Sequence, residues 1–112
     1  MTIYVLFSPP VDDYCVALSL QFGMQVERVA GGGDHKAQAT SVAFTKSKDD
    51  LSHDLFVAAA QGSKFANIDI EYWQDHVCTF VYHLTGATIT KAFTGSSRES
   101  YTLEYEKIWT ER

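Results

Sequence analysis

Apolar and polar residues alternate along most of this chain with a period of two, the spacing of strands that bury one face. Residues 3–7 form a short β-rich run halted by Ser8-Pro9-Pro10. Neither proline can donate to a ladder, so the run ends in an extended, turning connection. From 14 to 26 the alternation predicts one long strand. Val16, Leu18, Leu20 and Phe22 form its apolar face, and Cys15, Ala17, Ser19 and Gln21 lie opposite. Gly23 inside it predicts a bulge or a close backbone approach. Residues 37–46 alternate again, Thr40, Val42 and Phe44 against the smaller Ala39, Ser41, Ala43 and Thr45.

The period then changes. Residues 46–50 are charged and polar, and a helix is predicted over about 51–61. Ser52 fits its N-cap and Asp54 its first turn. Leu51 and Phe56 fit a hydrophobic staple, and Leu55, Phe56, Ala59 and Ala60 an apolar stripe. Gly62 is the expected left-handed C-cap, and the three alanines at 58–60 allow a close approach to a sheet. Alternation resumes with Ile68, Ile70 and Tyr72 inward and Asp69, Glu71 and Trp73 outward, where an exposed indole marks a candidate interface. Asp75-His76 turns the chain. Residues 77–84 carry large side chains on both faces, as a strand covered on both sides does. Further strands are expected over 87–94 and, after the polar loop 95–99, over 100–109, with a bulge where Ile108 and Trp109 break parity. About seven strands with one short flanking helix make a mainly β fold, an antiparallel barrel or two-sheet sandwich, as a single domain over 1–112.

Composition narrows the function classes. With 112 residues, 46% hydrophobic and 13% aromatic, the chain can bury one modest core. A net charge of -5 argues against nucleic acid and against an anionic membrane surface. No apolar run nears the roughly 20 residues that cross a bilayer. The start, MTIYVLF, lacks the features of a signal peptide. A cytoplasmic protein is expected, with any export by a route that reads no such signal. Cys15 and Cys78, the two cysteines, are expected as free thiols.

Candidate chemistry is thin. The loop AGGGDHK at 30–36 lacks the Gly-Lys-Ser/Thr ending of a phosphate cradle, and Asp34 would repel phosphate, so it reads as a solvated loop. His76 and Cys78 share a face but His83 lies on the other, and no third ligand has metal spacing. No serine sits in a nucleophile elbow. The acidic residues Asp69, Glu71, Glu104 and Glu106 follow strand alternation and read as a wet face. No enzyme and no cofactor is implied, although a hydrolase using His76 or His83 is the reading that ester and phosphate substrates would test.

Taken in order, LQFGMQ at 20–25, the Gly-rich loop, SVAFTK at 41–46, LFVAAAQGSKF at 55–65 and ESYTLEYEKI at 99–108 carry a likeness that no single piece does. The chain resembles the haemolysin-coregulated protein (Hcp) family, the tube subunit of type VI secretion systems, over about 14–109. The resemblance implies a β-barrel with a helix on its side, six copies closing into a ring, and rings stacking into a tube. It also implies sheath and spike proteins as partners and small effectors held in the lumen. The connection 8–13 is shorter than the family's long, charged one, and the chain ends at Arg112 without the tail of many members. Candidate subunit-interface residues are Trp73, Phe93, Trp109, Asp69 and Glu71. Candidate ring-stacking residues are Gly31, Gly32, Gly33 and Asp34 in one loop and Ser96, Ser97 and Arg98 in the other. The alternative is a small barrel of this type that forms no tube and binds a small ligand or peptide.

Overall fold

The computed structural model describes residues 1–28 and 35–111, with side chains described outside 24–40. Eight strands and one helix follow in the order β1 (Thr2–Phe7), β2 (Tyr14–Ala17), β3 (Ser19–Arg28), β4 (His35–Ser47), α1 (Ser52–Gln61), β5 (Lys64–Gln74), β6 (Val77–Thr94), β7 (Arg98–Glu104) and β8 (Lys107–Glu111). They form one antiparallel sheet ordered β2-β1-β5-β6-β7-β4-β3, with β8 paired to β6. The sheet curls until its two ends, consecutive in the chain, meet beside β4. There the Leu18 N–H donates to the Thr45 carbonyl at 2.7 Å. No ladder joins β2 to β4, so the barrel stays open along that seam.

The strand count differs from the alternation reading in three places. The expected strand 14–26 breaks at Leu18, and the parity flips with it: Cys15 and Ala17 are buried while Val16 and Leu18 are exposed, the reverse of the expected faces. Past the break Leu20 and Phe22 pack against the core as predicted. Two runs of opposite phase had merged because Leu18 supplies an apolar residue to the wrong one. The runs 77–84 and 87–94 are instead one strand of 18 residues. Gly86 passes through it at φ +61, and the Glu106 carboxylate lies where a Cβ would stand. The final run 100–109 divides at Tyr105-Glu106 rather than bulging at Ile108. Gly23 does sit at a register shift, and a Cβ there would meet the Ser41 hydroxyl at 2.6 Å.

Helix α1 begins without the expected cap. Leu51 occupies the N-cap and makes no side-chain cap bond, while the Ser52 hydroxyl accepts from the Asp49 N–H at 2.9 Å outside the helix. The staple fails as well, because Leu51 is buried and Phe56 is exposed. Leu55 and Ala58 form the docked face, with Ala59 partly covered and Ala60 exposed. The C-terminus is as expected: Gly62 at φ 64 and Ser63 donate to the Ala59 and Ala58 carbonyls, closing the last turn in the left-handed manner. No helix of the described residues is long and apolar enough to cross a membrane.

The core joins Val5 and Phe7 of β1, Val42 and Phe44 of β4, Phe65, Ile68 and Ile70 of β5, Leu84 and Ile89 of β6, and Tyr101 and Leu103 of β7. Each fully buried side chain of this size stabilises by about 1.5–3 kcal/mol. The expectation that 77–84 is covered on both faces fails at Val77 and Thr79, which are exposed, and of that run only Leu84 is fully buried. Asp75 and His76 both take positive φ, the tight hairpin turn joining β5 to β6.

Candidate assembly surfaces

The predicted interface residues separate into three places. On the outer face of β5, β6 and β8 the register sets Asp69 opposite His83 and His83 opposite Trp109. His83 Nδ1 lies 2.7 Å from Asp69 Oδ1 and Nε2 3.4 Å from Glu111 Oε2, and the imidazole stacks on the Trp109 indole at 5.3 Å and 26°. The Asp69 hydrogen bond, aided by Glu111, outweighs burial and holds the imidazole above its ordinary 6.5. Asp69 and Trp109 therefore belong to one cluster centred on His83.

Glu71 and Trp73 lie elsewhere on that surface. The Trp73 Nε1–H donates to Glu71 Oε1 at 2.9 Å, and the indole meets Tyr4 edge-on at 6.3 Å. These contacts leave Trp73 half-buried, where the sequence reading expected an exposed indole. Phe93, in contrast, is 71% exposed near the end of β6. Close by, Phe56, Ala59 and Ala60 of α1 and Ile89 to Ala92 of β6 line a groove of about 230 Å³. Phe56 itself is 52% exposed.

Ser96, Ser97 and Arg98 are exposed at the β6–β7 turn. That turn is tied down: the Lys48 N–H donates to the Ser97 carbonyl at 2.9 Å, and the Gly95 N–H to the Arg98 carbonyl at 2.8 Å. Gly31, Gly32, Gly33 and Asp34 lie outside the described residues. His76 stands in the hairpin turn away from His83. Among the described residues no three His, Cys, Asp or Glu side chains are placed to hold a metal ion. Cys15 and Cys78 are free thiols.

Sequence reasoning missed the strongest polar feature. Lys46, where the expected strand 37–46 gives way to the charged stretch, and Glu99, expected in a polar loop, face each other on β4 and β7 at 0% and 2% exposure. The Lys46 ammonium donates to Glu99 Oε1 at 2.9 Å, Asp49 Oδ1 at 2.8 Å, the Ser47 carbonyl at 2.9 Å and Ser52 Oγ at 3.2 Å. Glu99 Oε1 also accepts from Ser52 Oγ at 2.7 Å and from the Tyr101 hydroxyl at 3.0 Å. Burial alone would lower the ammonium and raise the carboxyl. The two carboxylates outweigh it for Lys46, and the Ser52, Lys46 and Tyr101 donors outweigh it for Glu99, so both groups stay charged. Burial, then Glu99, holds the Tyr101 phenol well above its usual range, so it remains a donor. Parity carried the signal: Val42, Phe44 and Lys46 share one phase, as do Glu99, Tyr101 and Leu103.

Residues 11–111 match the family model described as type VI secretion system effector, Hcp. The chain belongs to the Hcp family of type VI secretion. With it comes the coarse role, a protein of the type VI secretion system. No curated protein matches it in sequence. Among solved structures it is similar to Hcp1 from Salmonella typhimurium, with a TM-score of 0.78, 17% identity, and 97% of this chain and 84% of that one covered. Hcp1 from Flavobacterium johnsoniae gives 0.77 at 12% identity over 98% and 94%. Hcp3 from Pseudomonas aeruginosa, a secreted protein, gives 0.71 at 15% identity over 96% and 87%. At these identities the likeness is one of fold. Among its described residues this Hcp chain thus combines an open-seamed barrel, a buried ion-pair network and separate exposed aromatic patches.

Proposed function

We propose that this chain is the subunit of a type VI inner tube. Six copies close into a ring, rings stack, and the lumen holds or chaperones small effectors. The observation that carries this reading is the family match across residues 11–111 on a fold that aligns nearly end to end with solved Hcp proteins. Identical subunits in a ring need two different complementary patches that close by rotation. Phe93, 71% exposed, and Trp109, 47% exposed over His83, supply large apolar surface at two distinct places. In this proposal they anchor the ring contact, with Asp69 buttressing Trp109 through His83. The turn bearing Ser96, Ser97 and Arg98 and the loop containing Gly31, Gly32, Gly33 and Asp34 contact the next ring. Sheath and spike proteins are the apparatus partners.

Light scattering across a concentration series tests the ring. A mass six times that of the chain is expected, falling to the monomer in Phe93→Glu or Trp109→Glu. A wild-type monomer at every concentration refutes the ring, and either variant assembling normally removes that residue as an anchor.

A further inference from the structure

A second surface is centred on Tyr4, Tyr14 and Trp73, apart from Phe93 and Trp109. The outer face of β1, β2 and β5 carries an open groove of about 540 Å³ lined by Tyr4, Leu6, Tyr14, Glu71, Trp73 and His76. Tyr4 is its pivot, edge-on to Tyr14 at 5.8 Å and to Trp73 at 6.3 Å. Trp73 uses one Glu71 oxygen, and the groove opens beside that carboxylate. Tyr14, 57% exposed, also lines an adjoining groove of about 440 Å³ along the seam, with Asp13, Asp49 and Asp50 among its walls. The seam edge of β2 has no strand partner among the described residues.

The charges point one way. β1 and β2 contain no Lys or Arg, and in β5 the single cation, Lys64, stands at the far end and pairs with Glu106. Aromatic walls beside carboxylates favour a cation carried on an apolar or planar stem. An anionic partner would face Glu71 in one groove and Asp13 and Asp50 in the other, where, among the described residues, Asp49 alone is already paired, with Lys46. Two contiguous grooves flanking an unpaired strand edge suit an extended backbone better than a single small cation, because the edge offers main-chain hydrogen bonds.

We propose that these two grooves bind an extended basic segment of a partner protein. An Arg or Lys side chain lies among Tyr4, Tyr14 and Trp73 with Glu71 as counter-charge, and the backbone runs along β2. The inference does not depend on ring closure.

Trp109→Phe leaves Trp73 as the sole tryptophan and so as the reporter. The probe is a synthetic peptide alternating arginine and valine. Its titration is expected to change Trp73 fluorescence saturably, with affinity falling as salt rises. Glu71→Gln and Tyr14→Ala are each expected to weaken binding about tenfold, the scale of one cation–aromatic or charge contact. Circular dichroism checks that both variants fold; neither side chain lies in the core. A glutamate–valine peptide is expected not to bind. Phe93→Glu is expected to leave the titration unchanged, which separates this site from the ring contact. Equal affinity in both groove variants overturns the proposal, as does equal affinity for the glutamate peptide. Free arginine amide binding as tightly as the peptide overturns the polypeptide assignment. Loss of self-association in Tyr14→Ala without any peptide binding assigns the surface to a second copy and likewise overturns it.

Discussion

Lys46 and Glu99 face each other across β4 and β7, 2.9 Å apart from nitrogen to oxygen, with essentially no exposure to solvent. Through Ser52 the same carboxylate reaches the first residue of α1, so one ion pair ties the helix start to two strands. Removing one partner strands the other charge inside the protein. Lys46→Met and Glu99→Gln are each expected to cost about 3–5 kcal/mol. The double variant Lys46→Met with Glu99→Gln is expected to recover much of that loss, because neither charge is then left unpaired. Urea unfolding of the four proteins measures both the losses and the coupling. Single variants as stable as wild type would show that the pair is not what fastens α1.

The same pair sets a pH window. The folded Glu99 carboxyl lies below its ordinary 4.5. Its contribution is therefore fully present above 4.5 and lost as pH falls through the lower folded value. The folded Lys46 ammonium lies above its ordinary 10.5, so its contribution is present below 10.5 and lost as pH rises through the higher folded value. The stability difference between wild type and Glu99→Gln is expected to be flat across neutral pH and to shrink on the acid side. Urea midpoints across pH check this. A difference that shrinks toward alkaline pH while acid leaves it untouched would contradict the carboxyl assignment.

How far the chain could be read in advance followed which residues obey a local rule. Ile68, Ile70 and Tyr72 alternate cleanly and Gly62 demands a left-handed end, so β5 and the stop of α1 were legible. Leu18 was not, because an apolar residue at a strand break continues the wrong phase and hides the flip between Cys15-Ala17 and Leu20-Phe22. Lys46 and Glu99 were read by charge rather than by phase, since burying a charge is costly unless a partner is supplied from a distant strand. Of the site, Trp109 and Phe93 were legible as large apolar residues in odd places. The company each keeps was not: His83 beneath Trp109 and Tyr4 beside Trp73 are set by register between strands far apart in sequence.

His83 joins β5 to β8 across β6, and its protonated form serves both carboxylates. Its folded value is raised above 6.5, chiefly by Asp69. The contribution of this contact is therefore fully present below 6.5 and fades as pH rises through the folded value. In Trp73→Phe, which leaves Trp109 as the only indole, fluorescence is expected to titrate with a midpoint above 6.5, because the stacked imidazole changes charge. Asp69→Asn is expected to move that midpoint down, and His83→Ala to abolish the titration. A titration that persists in His83→Ala would assign the signal to another group.

The two thiols are expected to differ in reactivity by environment alone. Cys15 is buried against the core beneath the β2 seam, and burial pushes its thiol up to about 12. The thiolate is the reactive form, so Cys15 is nearly inert at neutral pH while the fold holds. Cys78 is only half-buried near the β5–β6 hairpin, its sulfur 3.8 Å from the Phe80 carbonyl. Titration of the native protein with an aromatic disulfide reagent is expected to release one equivalent quickly and the second only as the chain unfolds. Cys78→Ser is expected to remove the fast phase, and Cys15→Ser to leave it intact. Because Cys15 lines the groove along the seam, opening of β2 away from β4 would speed the slow phase in urea below the main transition. A slow phase that instead tracks global unfolding throughout would show that the seam, although unpaired, opens only with the whole barrel.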